Sequence, residues 1–120
     1  VLDVDIPDIA AAFGNDIKGQ RECMERLENA LDRIRLNPDR EGTWCEFEPL
    51  KSAGSRKVKE FSSKSLERTK EAKPDMRIIY RYDGGQDTVR VDSMGFRVRV
   101  RPRPDHDPYS KAERRIRIDE

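Results

Sequence analysis

Between Lys57 and Tyr109 this 120-residue sequence holds the side-chain types that metal-free chemistry at an RNA phosphodiester requires. Such a reaction takes a proton from a ribose 2′-OH, neutralises charge on the attacked phosphate, and returns a proton to the departing 5′ oxygen. Arginine suits the middle task because its guanidinium presents a fixed fork of donors to phosphate oxygens. Lysine serves as the base only where neighbouring cations and burial lower its pKa. Tyrosine stacks on a base or orients the phosphate. Lys57 and Lys59 in "SRKVKEF", Arg77 in "RIIYRY", Arg97 in "SMGFR" and Tyr109 in "PYSKAERR" supply these types. They act together only if the fold makes neighbours of them.

The elements that must do so are partly legible. "SRKVKEF" reads as a strand with Lys57 and Lys59 on one face and Val58 on the other. "RIIYRY" and "TVRVDSMGF" flank "DGGQ", a hairpin signal in which Gly84 and Gly85 are expected to take positive φ. In the first of these strands Arg77, Ile79 and Arg81 face one way, and Ile78, Tyr80 and Tyr82 the other. "FRVRVRPRP" continues the pattern with Arg97, Arg99, Arg101 and Arg103 on one side, while Pro102 and Pro104 place that end at a sheet edge or beyond it. "DPYSKAERR" then opens a helix, with Asp107 as N-cap and Pro108 in the first turn.

Upstream, "VLDVDI" alternates apolar and acidic residues and is expected to be a strand ended by Pro7, with "DIAAAF" a short helical turn. Asp16 to Leu36 is the clearest helix. Ile17, Met24, Leu27, Leu31 and Ile34 fall at helical spacing, Cys23 and Ala30 widen the stripe, Asn15 is the expected N-cap, and Asn37-Pro38 ends it. Trp44 and Phe47 are expected core anchors, and one short helix is expected from Ser63 or Ser65, stopped by Pro74. The sum is a single α+β domain over residues 1–120: a small antiparallel sheet packed by an N-terminal helix, with a short C-terminal helix.

Hydrophobic residues make up 34% and charged residues 41%, so the core is small and the surface heavily ionised. The net charge of +1 hides a polarity: residues 1–50 carry 6 Lys/Arg against 12 Asp/Glu, residues 51–120 carry 19 against 12. An anionic partner on the basic side follows from that division, unless the two halves neutralise each other across the fold. No apolar run approaches a transmembrane length and no basic-then-apolar segment opens the sequence, so a cytoplasmic protein with no membrane partner is expected. Cys23 and Cys45 form no CxxC pair and read as buried thiols. With a single histidine, His106, there is no metal-ligand set, and no cofactor is implied.

The run from "FEPLKSAGSRKVKEF" through "RIIYRY", "VDSMGFR" and "PYSKAERR" resembles the RelE branch of the RelE/ParE toxins, the toxin halves of type II toxin–antitoxin pairs. The resemblance covers about Leu36 to Arg115, and the N-terminal third only in general pattern. It implies ribosome-dependent cleavage of mRNA in the ribosomal A site, with mRNA, ribosomal RNA and a cognate antitoxin as partners. An acidic antitoxin segment would cover the basic face. Carried over by motif, Lys59 falls at the general-base position and Lys57 at a phosphate-supporting one. Arg77 corresponds to a phosphate clamp, Arg97 to the group that stabilises or protonates the leaving oxygen, and Tyr109 to the residue that stacks on or orients the nucleotide. Arg81, Arg99, Arg101 and Arg103 would be accessory RNA contacts.

The sequence departs from the family pattern in an insertion over residues 60–76, a longer connection over 98–106, and a first helix that reads as short or missing. Two other functions fit the same resemblance: a ParE-like gyrase-binding toxin, and a catalytically inactive binding module. Simpler readings stand beside these. Lys57 and Lys59 suit the wet face of an edge strand, Arg77 and Arg97 suit surface pairs with Asp75, Asp87 or Asp92, and His106 suits a solvated loop.

Overall fold

The computed structural model describes residues 2–66 and 73–119. Its elements are α1 (Leu2–Ala11), α2 (Ile17–Leu36), β1 (Thr43–Trp44), β2 (Ser55–Glu60), α3 (Ser63–Leu66), β3 (Met76–Asp83), β4 (Thr88–Phe96) and α4 (Pro108–Asp119). The four strands form one antiparallel meander in the order β1-β2-β3-β4. This is the α+β class, with helices at both ends of the chain packed on a small sheet.

Helix α2 follows from its apolar stripe. Cys23, Leu27, Ala30 and Ile34 are buried on one side, and Met24 and Leu31 pack against them. The cap is Asp16 rather than Asn15: its carboxylate accepts from the Gly19 N–H at 2.9 Å. Ile17 lies outside the stripe and is exposed, because two residues before buried Gly19 it points about 200° round the helix. Asn37 ends the helix as expected.

The N-terminal segment is a helix, not a strand, and α1 runs through Pro7. Six residues alternating apolar and acidic do not separate a period of 2 from one of 3.6. Here the buried positions are Asp5, Ile9 and Phe13, four apart, while Val4 and Ile6 face water. The first helix is therefore present.

β3 is buried through Met76–Tyr80 because both faces of the sheet are covered. Ile78 and Tyr80 join the α1/α2 core with Val58 and Met94. Ile79 turns the other way, into a smaller cluster with Cys45, Leu50, Tyr109, Ala112 and Ile116. Trp44 and Phe47 are not core anchors, being 58% and 64% exposed; Cys45 and Leu50 turn inward in their place. Both cysteines are free and buried, and burial pushes each thiol up to about 11.

In the hairpin the positive φ belongs to Asp87 (50°), not to Gly84 or Gly85. The Asp83 carboxylate accepts the Gly85 and Gln86 N–H groups and shapes the turn without them. β4 stops at Phe96, so the arginines after it follow a loop rather than one strand face. That loop is held at both ends. The Arg97 N–H donates to the Asp75 carbonyl at 2.7 Å, and the Val98 N–H to Asp107 Oδ2 at 2.9 Å.

Asp75 also secures the insertion between β2 and β3. It accepts from the Ser62 N–H and hydroxyl and from the Ser65 hydroxyl, at 2.6–2.9 Å. The excursion is thus closed at its base, and the β2–β3 register continues undisturbed up to it. The short helix expected from Ser63 is α3; its expected stop at Pro74 involves residues 67–72, which lie outside the described residues.

Candidate active site

Antiparallel register brings the sequence-distant cations together. Lys59 sits directly opposite Arg77, and Arg77 opposite Gly95, so β2, β3 and β4 meet at one position on the α4 face. Arg97 follows two residues later, just past the end of β4. Tyr109 arrives from the first turn of α4, where Asp107 Oδ1 accepts its N–H at 2.9 Å. Asp107 holds Val98 with its other oxygen, so one buried carboxylate fixes the entry to α4 against the strand end.

A cleft of about 260 Å³ opens here, lined by all five of Lys57, Lys59, Arg77, Arg97 and Tyr109. Arg101 and Arg103 line it as well. Arg99 is exposed outside the lining, and Arg81 is used elsewhere: its guanidinium forks onto Asp92 with two contacts of 2.8 Å. His106 is exposed in the loop before α4 and does not line the cleft.

Arg77 is 2% exposed. Its Nε donates to the Tyr109 hydroxyl at 3.2 Å, and its Nη1 to the carbonyls of Pro74 and Met76 at 3.0 and 2.8 Å. Burial lowers its pKa from the ordinary arginine value, and a guanidinium remains a cation regardless. Among the described residues no carboxylate lies within ion-pair distance of it, nor of Lys57, Lys59, Arg97, Arg101 or Arg103. A buried cation without a counter-charge is costly unless an anion arrives.

Lys59 responds to this field. It is exposed at the cleft, and its amine titrates below the ordinary lysine range chiefly because Arg77 stands opposite it, then through slight desolvation and the charges of Lys57 and Arg97; Glu46 opposes the shift. Tyr109 is 7% exposed, and the Arg103 guanidinium lies 4.4 Å over its ring. In this arrangement the hydroxyl orients Arg77, while the ring has no open face for a base.

Five lining residues lie outside the site read from the sequence: buried Cys45 and Leu50, and Glu46, Phe47 and Glu113. Glu113 was within reach of that reading, lying four residues after Tyr109 and so on the same helix face. Glu46 and Phe47 carried no such signal, because they enter the cleft from the β1–β2 connection. The acids are few beside six cations, so the cleft attracts anions and can move protons through Lys59 or a carboxylate.

Among the described residues no three His, Cys, Asp or Glu side chains come together as a metal site, and no helix is long and apolar enough to cross a membrane. Comparison with protein-family models, with curated proteins and with solved structures finds no match.

Proposed function

We propose that this chain is a ribosome-dependent mRNA endoribonuclease, the toxin of a type II toxin–antitoxin pair acting in the ribosomal A site. The observation that carries the reading is the cross-strand pair Lys59–Arg77 inside a cleft that also holds Lys57, Arg97 and Tyr109. The resemblance of the sequence to the RelE branch adds to it. The neutral Lys59 amine takes the proton of a 2′-OH, and the 2′ oxygen attacks the adjacent phosphorus. Arg77, oriented by Tyr109, and Lys57 hold the non-bridging oxygens as charge builds. The P–O5′ bond breaks beside Arg97, which stabilises the leaving oxygen as it takes a proton from water, and Lys59 returns its own proton to solvent. The products are a 2′,3′-cyclic phosphate and a 5′-OH end.

The unpaired cations around the cleft also fit an antitoxin that covers it with an acidic segment. Such a complex would weaken with salt.

The test is a reconstituted translation reaction with mRNA ends mapped by primer extension. Cuts within codons that require ribosomes, and that fall about 10²–10³-fold in Arg97→Ala, are the expected result. Intact mRNA and undiminished translation would remove the nuclease reading.

A further inference from the structure

We propose that the end of β1 and the β1–β2 connection form a base-stacking wall for single-stranded nucleic acid, with Phe47 of the connection as its platform at the cleft and Trp44 of β1 as a second platform beyond it. The inference rests on the reading above in one respect, that the cleft holds a nucleic-acid phosphate.

Phe47 lines the cleft together with Lys57, Lys59 and Arg77, yet the residue is 64% exposed. A loose loop does not explain this. The Phe47 carbonyl accepts from the Lys51 N–H at 2.9 Å, the Pro49 carbonyl from Ala53 at 3.1 Å and the Leu50 carbonyl from Ser55 at 3.0 Å. Leu50 is turned into the core in the same turn, and Gly54 completes it at φ 73°. The backbone therefore fixes which apolar side chain goes in and which stays out.

Trp44 is held as firmly. The Arg56 guanidinium lies 3.8 Å over one face of the indole, and its Nη1 donates to the carbonyls of Asp39 and Gly42 at 2.9 and 3.2 Å. Trp44 is nevertheless 58% exposed, so the ring that Arg56 holds in place is open to a partner from solvent. Ordering the ring in advance removes part of the entropy cost of stacking on it. A groove beside it, lined by Trp44, Cys45, Glu46 and Lys51, shares Cys45 and Glu46 with the cleft, so the two concavities adjoin.

The occupant follows from two requirements. The unpaired cations of the cleft call for a polyanion, and two fixed, exposed rings call for flat faces. A single strand offers both, whereas duplex bases are already stacked on one another. Tyr109 does not compete for this role, because Arg103 covers its ring.

The test uses a dye-labelled 2′-deoxy hexanucleotide, which lacks the attacking hydroxyl, and its abasic counterpart with the same phosphates. Trp44 is the sole tryptophan, so its emission reports on its own ring. The base-bearing strand should bind roughly tenfold or more tightly than the abasic one and quench Trp44. Phe47→Leu should remove most of that preference, and Phe47→Tyr should restore it. Equal affinity for the two strands, or a preference that survives Phe47→Leu and Trp44→Leu together, overturns the proposal. So does an acidic peptide that outcompetes the hexanucleotide in a Phe47-dependent way, since the wall would then belong to a protein. A base preference intact in a protein that never cuts mRNA upholds the wall and removes only the nuclease reading.

Discussion

Asp5 and Arg77 are both charged side chains withdrawn from water, and their surroundings differ in kind. Asp5 is fully buried and fully answered: Lys111 Nζ donates to it at 3.0 Å, Arg115 forks onto it at 2.7 and 2.9 Å, and the Met94 N–H adds a bond at 3.0 Å. The network ties α1 to α4 and to β4, and Gly95 leaves room for it, since a Cβ there would stand 3.2 Å from Lys111 Nζ. Arg77 has a hydroxyl and two carbonyls, and no acid among the described residues. The first charge completes the fold. The second stands without a counter-charge among the described residues, which is why it marks the candidate site.

The largest effect should come from breaking the compensated charge. Asp5→Ala strands buried Lys111 and half-buried Arg115 without their carboxylate and should cost about 3–5 kcal/mol in urea unfolding. Arg77→Met should change stability by less than about 2 kcal/mol, because relief of an unanswered cation offsets the lost hydrogen bonds. Added pyrophosphate should raise the melting temperature of the parent more than chloride at equal ionic strength, and should not do so for Arg77→Met. If Arg77→Met costs as much as Asp5→Ala, the arginine is a strut and the contrast fails.

Acid pH probes the same pair. Burial pushes the Asp5 carboxyl upward, but the bonds from Arg115, Lys111 and Met94 outweigh it and hold it below its ordinary value. A depressed carboxylate stabilises the fold fully above its unfolded pKa, and the contribution is lost as pH falls through the folded value. The parent should therefore lose stability as pH drops below about 4, and Asp5→Asn should flatten that decline.

Removing Arg77 should act in the other direction on Lys59. The largest cause of its lowered pKa is the charge of Arg77, so Arg77→Met should move the Lys59 midpoint upward. At any pH below the midpoint the neutral, proton-accepting fraction then shrinks. NMR of ¹³C-dimethylated lysines reads this directly. A midpoint that stays in place would show that the two side chains do not share a field.

The contrast between the two charges was only half visible in the sequence. The α2 stripe, the hairpin and the alternation in β2 and β3 follow from local periodicity, which sets the face of Lys59 and of Arg77 within each strand; their pairing across the insertion is set by the β2–β3 register. What periodicity does not carry is which charge has a partner. Arg77 and Arg81 lie four residues apart on the same strand face, yet Arg81 is claimed by Asp92 and Arg77 is not. Asp5 hid α1 for the same reason: its burial depends on Lys111 and Arg115, more than a hundred residues away, so an acid stood where a helical stripe should show an apolar residue. Hydrophobicity alone points Trp44 and Phe47 inward. The turn that points Leu50 inward is set by backbone bonds within the β1–β2 connection, and composition does not encode those.

The smallest effect separates orientation from packing within α4. Tyr109→Phe keeps the ring beneath Arg103 and removes only the acceptor for Arg77 Nε. Ser93→Ala removes a different bond to the same helix, the 2.6 Å donation from the Ser93 hydroxyl to the Pro108 carbonyl. Each should cost about 1 kcal/mol in unfolding. Only Tyr109→Phe should weaken pyrophosphate binding, by a few-fold, because both remaining bonds of Arg77 lie on Nη1 and its Nε edge is then free to turn. Equal losses of affinity in the two variants would mean that the anion site feels the docking of α4 as a whole. Tyr109 would then matter through packing, and the uncompensated arginine would need no orienting partner.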